Sequence, residues 1–192
     1  MQTSATVRKV IGPTILLQSG EYFDFLDPDN SNISIDDVAH GLSMICRYTG
    51  QCNEFYSVAE HSWHASYHVH PDFAFDALMH DAPESVVGDM SKPLKDICPE
   101  YRLIEDKIEQ AFADRFGFRV PLPQEVKDID ITMLATEQKL LMKNRDDWDY
   151  TRGRVPLDIK LHCWPPKTAK ALFLGRYHEL KSKRVSVLGA SR

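Results

Sequence analysis

Residues 78–92 read LMHDAPESVVGDMSK. An apolar lead-in ends in His80 and Asp81, side by side. Glu84 follows three residues after Asp81, and Asp89 five after that. Imidazoles and carboxylates beside an apolar run cost free energy to bury unless something pairs with them. The lead-in, from about Asp72 to His80, has helical spacing, so His80 stands at a helix end with Asp81 next to it. The partners must come from elsewhere in the chain.

Elsewhere, the chain is mostly helical in pattern. From Ser34 onward Val38, Leu42 and Ile45 recur at helix spacing, with Asp36 and Asp37 at the positive N-terminal end. Ser57 and Glu60 in SVAEHS make an S-x-x-E capping box that opens a second helix. It carries His61 on the face shared with Val58 and Ala65. Residues 99–117 form an amphipathic helix with Pro99 at its start and Gly117 at its end. Residues 124–143 form another, in which Asp130 shares a stripe with Val126, Met133 and Leu134. Residues 155–164, VPLDIKLHCW, read as extended, and 165–184 as a final helix with a cationic end. Short apolar runs at 7–25, broken by Gly-Pro and Ser-Gly, read as two or three small strands. The expected fold class is all-α with a small N-terminal β element, in one domain over 1–192. No internal repeat or low-complexity tract interrupts it.

Composition narrows the function classes. A chain of 192 residues can bury a real core. Its formal charge of −5 disfavours nonspecific nucleic-acid binding, so a phosphorylated ligand must meet a local cluster of cations. The four cysteines form no CxxC pair, which predicts free thiols and a cytoplasmic location. No signal peptide is evident at the N-terminus, and no run approaches about 18 apolar residues, so no membrane partner is expected.

His61, the His80–Asp81 pair nineteen residues on, and Asp130 about fifty beyond lie on three predicted helices. Two imidazoles and two carboxylates make a mixed nitrogen and oxygen set. That set suits Mn²⁺, Co²⁺, Ni²⁺, Fe²⁺ or Zn²⁺ better than Ca²⁺. Each residue also has a plainer reading. A lone inward histidine is more often a satisfied core residue, and Asp130 could cap a helix or pair with an arginine. His64 and His68, at i+3 and i+7 from His61, leave a histidine-only site open. Trp148 and Trp164 read as packing residues, His162 and His178 as surface or structural ones, and KSKR at 181–184 as a solvated helix end.

Four blocks, DVAHGLSMICRYTG, FYSVAEHSWHAS, LMHDAPESVVGDMSKPLK and VKDIDITMLATE, together resemble the HD-domain superfamily of metal-dependent phosphohydrolases, whose pattern is H…HD…D. They look like the deoxynucleotidase-like branch, which includes phage deoxynucleoside triphosphate phosphohydrolases and the oxetanocin-pathway enzyme. The resemblance covers about residues 20–145. It implies a helical bundle and a metal held by His61, His80, Asp81 and Asp130. Glu84 takes the place of the general base, and Asp89 that of an assisting carboxylate. Arg47 matches a phosphate-binding arginine, and Tyr48 an aromatic residue near the base. Lys95 and Lys127 match phosphate-contacting lysines, with Lys92 a less certain third. No histidine lies between Asp81 and Asp130, so a single tightly held transition metal is expected, with room for a Mg²⁺ arriving on a nucleotide. The implied activity is phosphate removal from deoxynucleotides. A triphosphate such as dATP comes first, clamped by Arg47, Lys95 and Lys127. The alternatives are a deoxynucleoside 5′-monophosphatase, a non-catalytic nucleotide-binding module, and a phosphodiesterase. The resemblance further implies a homo-oligomer in the cytoplasm, or in a host's cytoplasm if the chain is phage-encoded.

Overall fold

The computed structural model describes residues 9–190 apart from Ile11 and Arg145. It is mostly helical, as expected, with one small sheet. β1 (Thr14–Leu16) and β2 (Tyr22–Asp24) pair antiparallel with Ile15 opposite Phe23. Two strands alone are marginal in water, and this hairpin is held by its inner face: Phe23 is fully buried and meets Phe112 edge-on at 5.9 Å.

The first helix, α1 (Ile35–Met44), starts at a complete capping box. The Asp37 amide donates to the Ser34 hydroxyl, and the Ser34 amide donates back to the Asp37 carboxylate. There follow α2 (Val58–Tyr67), α3 (Ala74–Met79), the single turn α4 (Glu84–Val87) and α5 (Lys92–Asp96). The long helices are α6 (Pro99–Phe116), α7 (Gln124–Leu141) and α8 (Pro166–Ala190). Among the described residues, no helix is long and apolar enough to cross a membrane.

The final helix is central to the packing. α8 lies against α1, α2 and α3. Its Ala169, Phe173, Tyr177 and Leu180 join Val38, Leu42, Phe75 and Phe112 in one buried cluster. Arg176 fixes α8 to α2: its guanidinium donates to the Ser66 carbonyl and hydroxyl and lies 3.7 Å over the Tyr67 ring. The cationic end at 181–184 is exposed, as expected, and two of its side chains also reach across to α6. Lys181 donates to the Phe116 carbonyl and Arg184 to the Gly117 carbonyl. They cap carbonyls that α6 leaves without intrahelical partners at its C-terminus.

Residues 155–164, read as extended, run as an irregular strap across α7 and α2. The strap has no neighbouring strand to pair with, so side chains take its amides. Leu157 donates to the Thr136 hydroxyl, and His162, Cys163 and Trp164 all donate to the Glu60 carboxylate at 2.7–3.0 Å. The Ser57–Glu60 capping box is accordingly only half formed. The Ser57 hydroxyl accepts from the Glu60 amide, while the wholly buried Glu60 carboxylate is committed to the strap. A buried carboxylate needs several donors, and three backbone amides supply them.

One close approach sets where α4 sits. A Cβ on Gly41 of α1 would stand 2.6 Å from the Ser85 carbonyl oxygen, so only glycine lets the two helices touch there. Gly41→Ala must push α4, and with it Glu84, away from α1. The expected cost is about 1–3 kcal/mol in chemical denaturation, the usual penalty for overpacking. A variant as stable as the parent would show that α4 adjusts freely.

Candidate metal centre

His61 sits near the N-terminus of α2, His80 caps the C-terminus of α3, Asp81 follows it, and Asp130 lies on α7. The structure brings all four together. His61 Nε2 is 3.2 Å from His80 Nε2, 3.2 Å from Asp130 Oδ1 and 3.5 Å from Asp81 Oδ2. His80 Nε2 is 3.3 Å from Asp81 Oδ2 and 3.7 Å from Asp130 Oδ1. Ligand atoms about 2.1 Å from one ion stand about 3–4 Å from one another, and these five separations fall in that range. His61, His80 and Asp130 form a group that could hold a metal ion.

The remaining ring nitrogens explain the arrangement. His61 Nδ1 faces Glu137 Oε1 at 2.6 Å, and His80 Nδ1 faces the Ala77 carbonyl at 2.8 Å. Each Nδ1–H has an acceptor, so each Nε2 keeps its lone pair for the shared point, the usual way a metal-binding histidine is oriented. Asp81 Oδ2 is buried there without a hydrogen-bond partner among the described residues. An orphaned carboxylate oxygen beside two imidazole Nε2 atoms, each free to give up a proton, fits a cation.

The sequence reading did not name Glu137. This fully buried residue of α7 accepts from His61, from Arg47 Nε at 3.0 Å and from the Tyr48 hydroxyl at 3.0 Å. Burial raises its proton affinity, but Arg47 and His61 outweigh that and hold its pKa at about 2. Its signal in the sequence was spacing: it lies seven residues, two helical turns, after Asp130.

The charges around the cluster invite a cation. Burial and then Arg47 lower the pKa of His61, yet Glu137 and Asp130 prevail and bring it up to about 9. Asp130 is driven well below the usual carboxylate range despite burial, because His61 and His80 donate to it. A proton therefore fills the cluster when no metal does.

The other expected residues are placed as follows. Glu84 is buried in the wall of a cavity of about 160 Å³ beside His80 and Asp81, with Oε2 lacking a hydrogen-bond partner among the described residues. Burial, then Asp81 and Asp89, raise its pKa well above the usual range. Asp89 is half-buried, and its pKa too is raised, by burial first. Arg47 reaches Asp81 with Nη1 at 3.5 Å. Lys95 enters the cavity wall but is bound to Glu105 at 2.6 Å, and Lys92 pairs with Asp96 on the surface. Lys127 is exposed on α7 and forms no ion pair among the described residues. His64 and His68 stay out of the cluster. The buried His64 ring stacks instead in line with His162 and Trp164.

No sequence-family model matches the chain. It is 36% identical over 169 residues to the uncharacterized protein YfdR of Escherichia coli K12, with 86% of this chain and 94% of YfdR covered. It is 33% identical over 182 residues to an uncharacterized protein of Rhodobacter capsulatus, with 84% and 92% covered.

Two outcomes follow from the geometry. Glu137→Gln keeps the side chain's size but removes the charge behind His61; divalent-metal affinity should fall about 10–100-fold by equilibrium dialysis. Unchanged affinity would place Glu137 outside the centre. The second concerns pH. Protonated His61 stabilises the metal-free fold fully below its unfolded value of about 6.5, and this is lost as pH rises through about 9. The metal-free melting temperature should therefore fall across that window. Mn²⁺ binding at pH 7 should release protons in calorimetry and tighten toward pH 9; uptake without proton release would contradict the assignment.

Proposed function

This chain belongs to the family of the Escherichia coli protein YfdR, and we propose that it is a metal-dependent phosphohydrolase of the HD-domain type acting on nucleotides. The observation that carries the reading is the convergence of His61, His80, Asp81 and Asp130 in H…HD…D order, with both imidazole tautomers fixed from behind. A transition ion such as Mn²⁺, Co²⁺, Ni²⁺, Fe²⁺ or Zn²⁺ suits these donors. When bound, it would neutralise charge on a phosphoryl oxygen and lower the pKa of a water.

The chain's own groups supply the rest. Glu84 faces the cavity with a raised proton affinity, which fits a carboxylate that accepts a proton from water. Asp89 raises that affinity further. Arg47, anchored through Nε on Glu137 and with Nη1 3.5 Å from Asp81, offers its charge to an anionic substrate while it offsets the surrounding carboxylates.

The charge pattern bears on the number of phosphates. A triphosphate needs cations along its length. Of the lysines that the sequence placed there, Lys95 and Lys92 already face Glu105 and Asp96, and Asp106 and Glu109 line the same cavity. Lys127 remains for such a role. These carboxylates favour a deoxynucleoside 5′-monophosphate over the triphosphate that an Arg47, Lys95 and Lys127 clamp would require.

The test is a panel of deoxynucleoside mono- and triphosphates with each divalent ion, reading phosphate, pyrophosphate and triphosphate. Monophosphates should release phosphate fastest. Glu84→Gln should keep its metal while turnover falls about 10²–10⁴-fold, the usual general-base contribution. Faster release of inorganic triphosphate from triphosphates would restore the clamp. No hydrolysis with any metal would leave a non-catalytic nucleotide-binding module.

A further inference from the structure

Beside the metal centre, the turn that carries Arg47 and Tyr48 begins and ends in cysteine. Cys46 and Cys52 bracket a seven-residue segment, CRYTGQC, and their sulfurs lie 3.5 Å apart. Both side chains are half-buried, within reach of a small reagent. The segment's ends are already held in place. Arg47 donates its amide to the Tyr56 carbonyl at 2.9 Å, Cys46 bridges Ser57 as an isolated β pair, and Asn53 donates to the Leu141 carbonyl of α7 at 2.9 Å. Between them the backbone is strained. Tyr48, Thr49 and Gly50 take φ values of 56°, 54° and 76° in succession, a left-handed run that only glycine adopts without cost.

We propose that Cys46 and Cys52 form a reversible disulfide that pins this turn. Bringing the sulfurs to bonding distance, about 2.05 Å, requires movement of about 1.5 Å, within the range of side-chain rotation. The oxidant is a low-molecular-weight disulfide such as oxidised glutathione. One cysteine thiolate attacks it, forming a mixed disulfide and releasing one thiol. The second thiolate displaces the other thiol and closes the protein disulfide. The two cysteines lose two protons and two electrons together, and the reagent's disulfide becomes two thiols. Burial, followed by the neighbouring Cys46, pushes the Cys52 thiol up to about 11, so closure is slow at neutral pH and accelerates as the medium turns alkaline.

The bond acts on the site through the turn. Arg47 and Tyr48 both end on Glu137, the carboxylate behind His61, so a pinned turn restricts two of the three groups that hold it. The chemistry at Cys46 and Cys52 is independent of the hydrolase reading; only its consequence for turnover rests on that reading.

The arrangement gives a direct map. Trypsin cuts after Arg47, between the two cysteines, so the bond would join peptide 10–47 to peptide 48–95, cleavage being blocked at Lys92 by Pro93. After equilibration of the whole chain with oxidised glutathione, free thiols should fall from four to two per chain, and that linked pair should appear and vanish with dithiothreitol. Amide hydrogen exchange across residues 47–51 should slow about tenfold in the oxidised form. Cys52→Ser should abolish the linked pair and the slowed exchange. Four free thiols after equilibration, or a bond from either cysteine to Cys163 or Cys98, would overturn the proposal. So would an oxidised protein whose 47–51 amides exchange as before.

Discussion

The buried carboxylate of Glu137 is the constraint on which the rest of the site depends. It is fully desolvated and accepts from three side chains that come from two other places in the chain: His61 on α2, and Arg47 and Tyr48 on the turn after α1. A buried charge of this kind is tolerated only when its donors are all present. Once they are, α2 and the turn after α1 are both fixed to one point of α7. The direction of the His61 lone pair follows from that fixing, as does the Arg47 guanidinium's position between Glu137 and Asp81.

The scaffold delivers the other donors by different means. Asp130 comes two turns before Glu137 on the same helix, so its place is set once Glu137 is bound. His80 ends α3, where the helix itself offers the Ala77 carbonyl to its ring. Glu84 reaches the cavity only because Gly41 lets α4 settle on α1. α3 is in turn held through Asp76, which is buried and takes the backbone and guanidinium of Arg119 from the segment before α7. Packing, glycine geometry and ion pairing thus each fix a different side of one small volume.

The helices were legible because their apolar residues recur at helical spacing, and the cluster was legible because each polar residue stood where apolar neighbours pointed inward. His61 beside Val58 and Ala65, and Asp130 beside Val126 and Met133, are cases of that. What the sequence hid were pairings between distant segments. Glu60 looked like half of a local cap, since nothing nearby announces that residues 162–164, about a hundred positions later, will bring three amides to it. Lys181 and Arg184 are exposed, as they read, but the α6 carbonyls they reach were hidden, since carbonyls carry no sequence signature. Lys95 looked free for a phosphate because Glu105, its partner, sits on α6, ten residues along, with a helix start between them.

The Glu60 clasp also orders events during synthesis. The last of the four clustered side chains, Asp130, leaves the ribosome before the strap and α8. Until residues 162–164 emerge, the carboxylate next to His61 has no donors and stays in water, and α2 cannot bury its face. The nascent protein therefore carries all four clustered residues while the helix bearing the first of them is still unlocked. Settling of the cluster thus waits on a segment that follows its last member by about thirty residues.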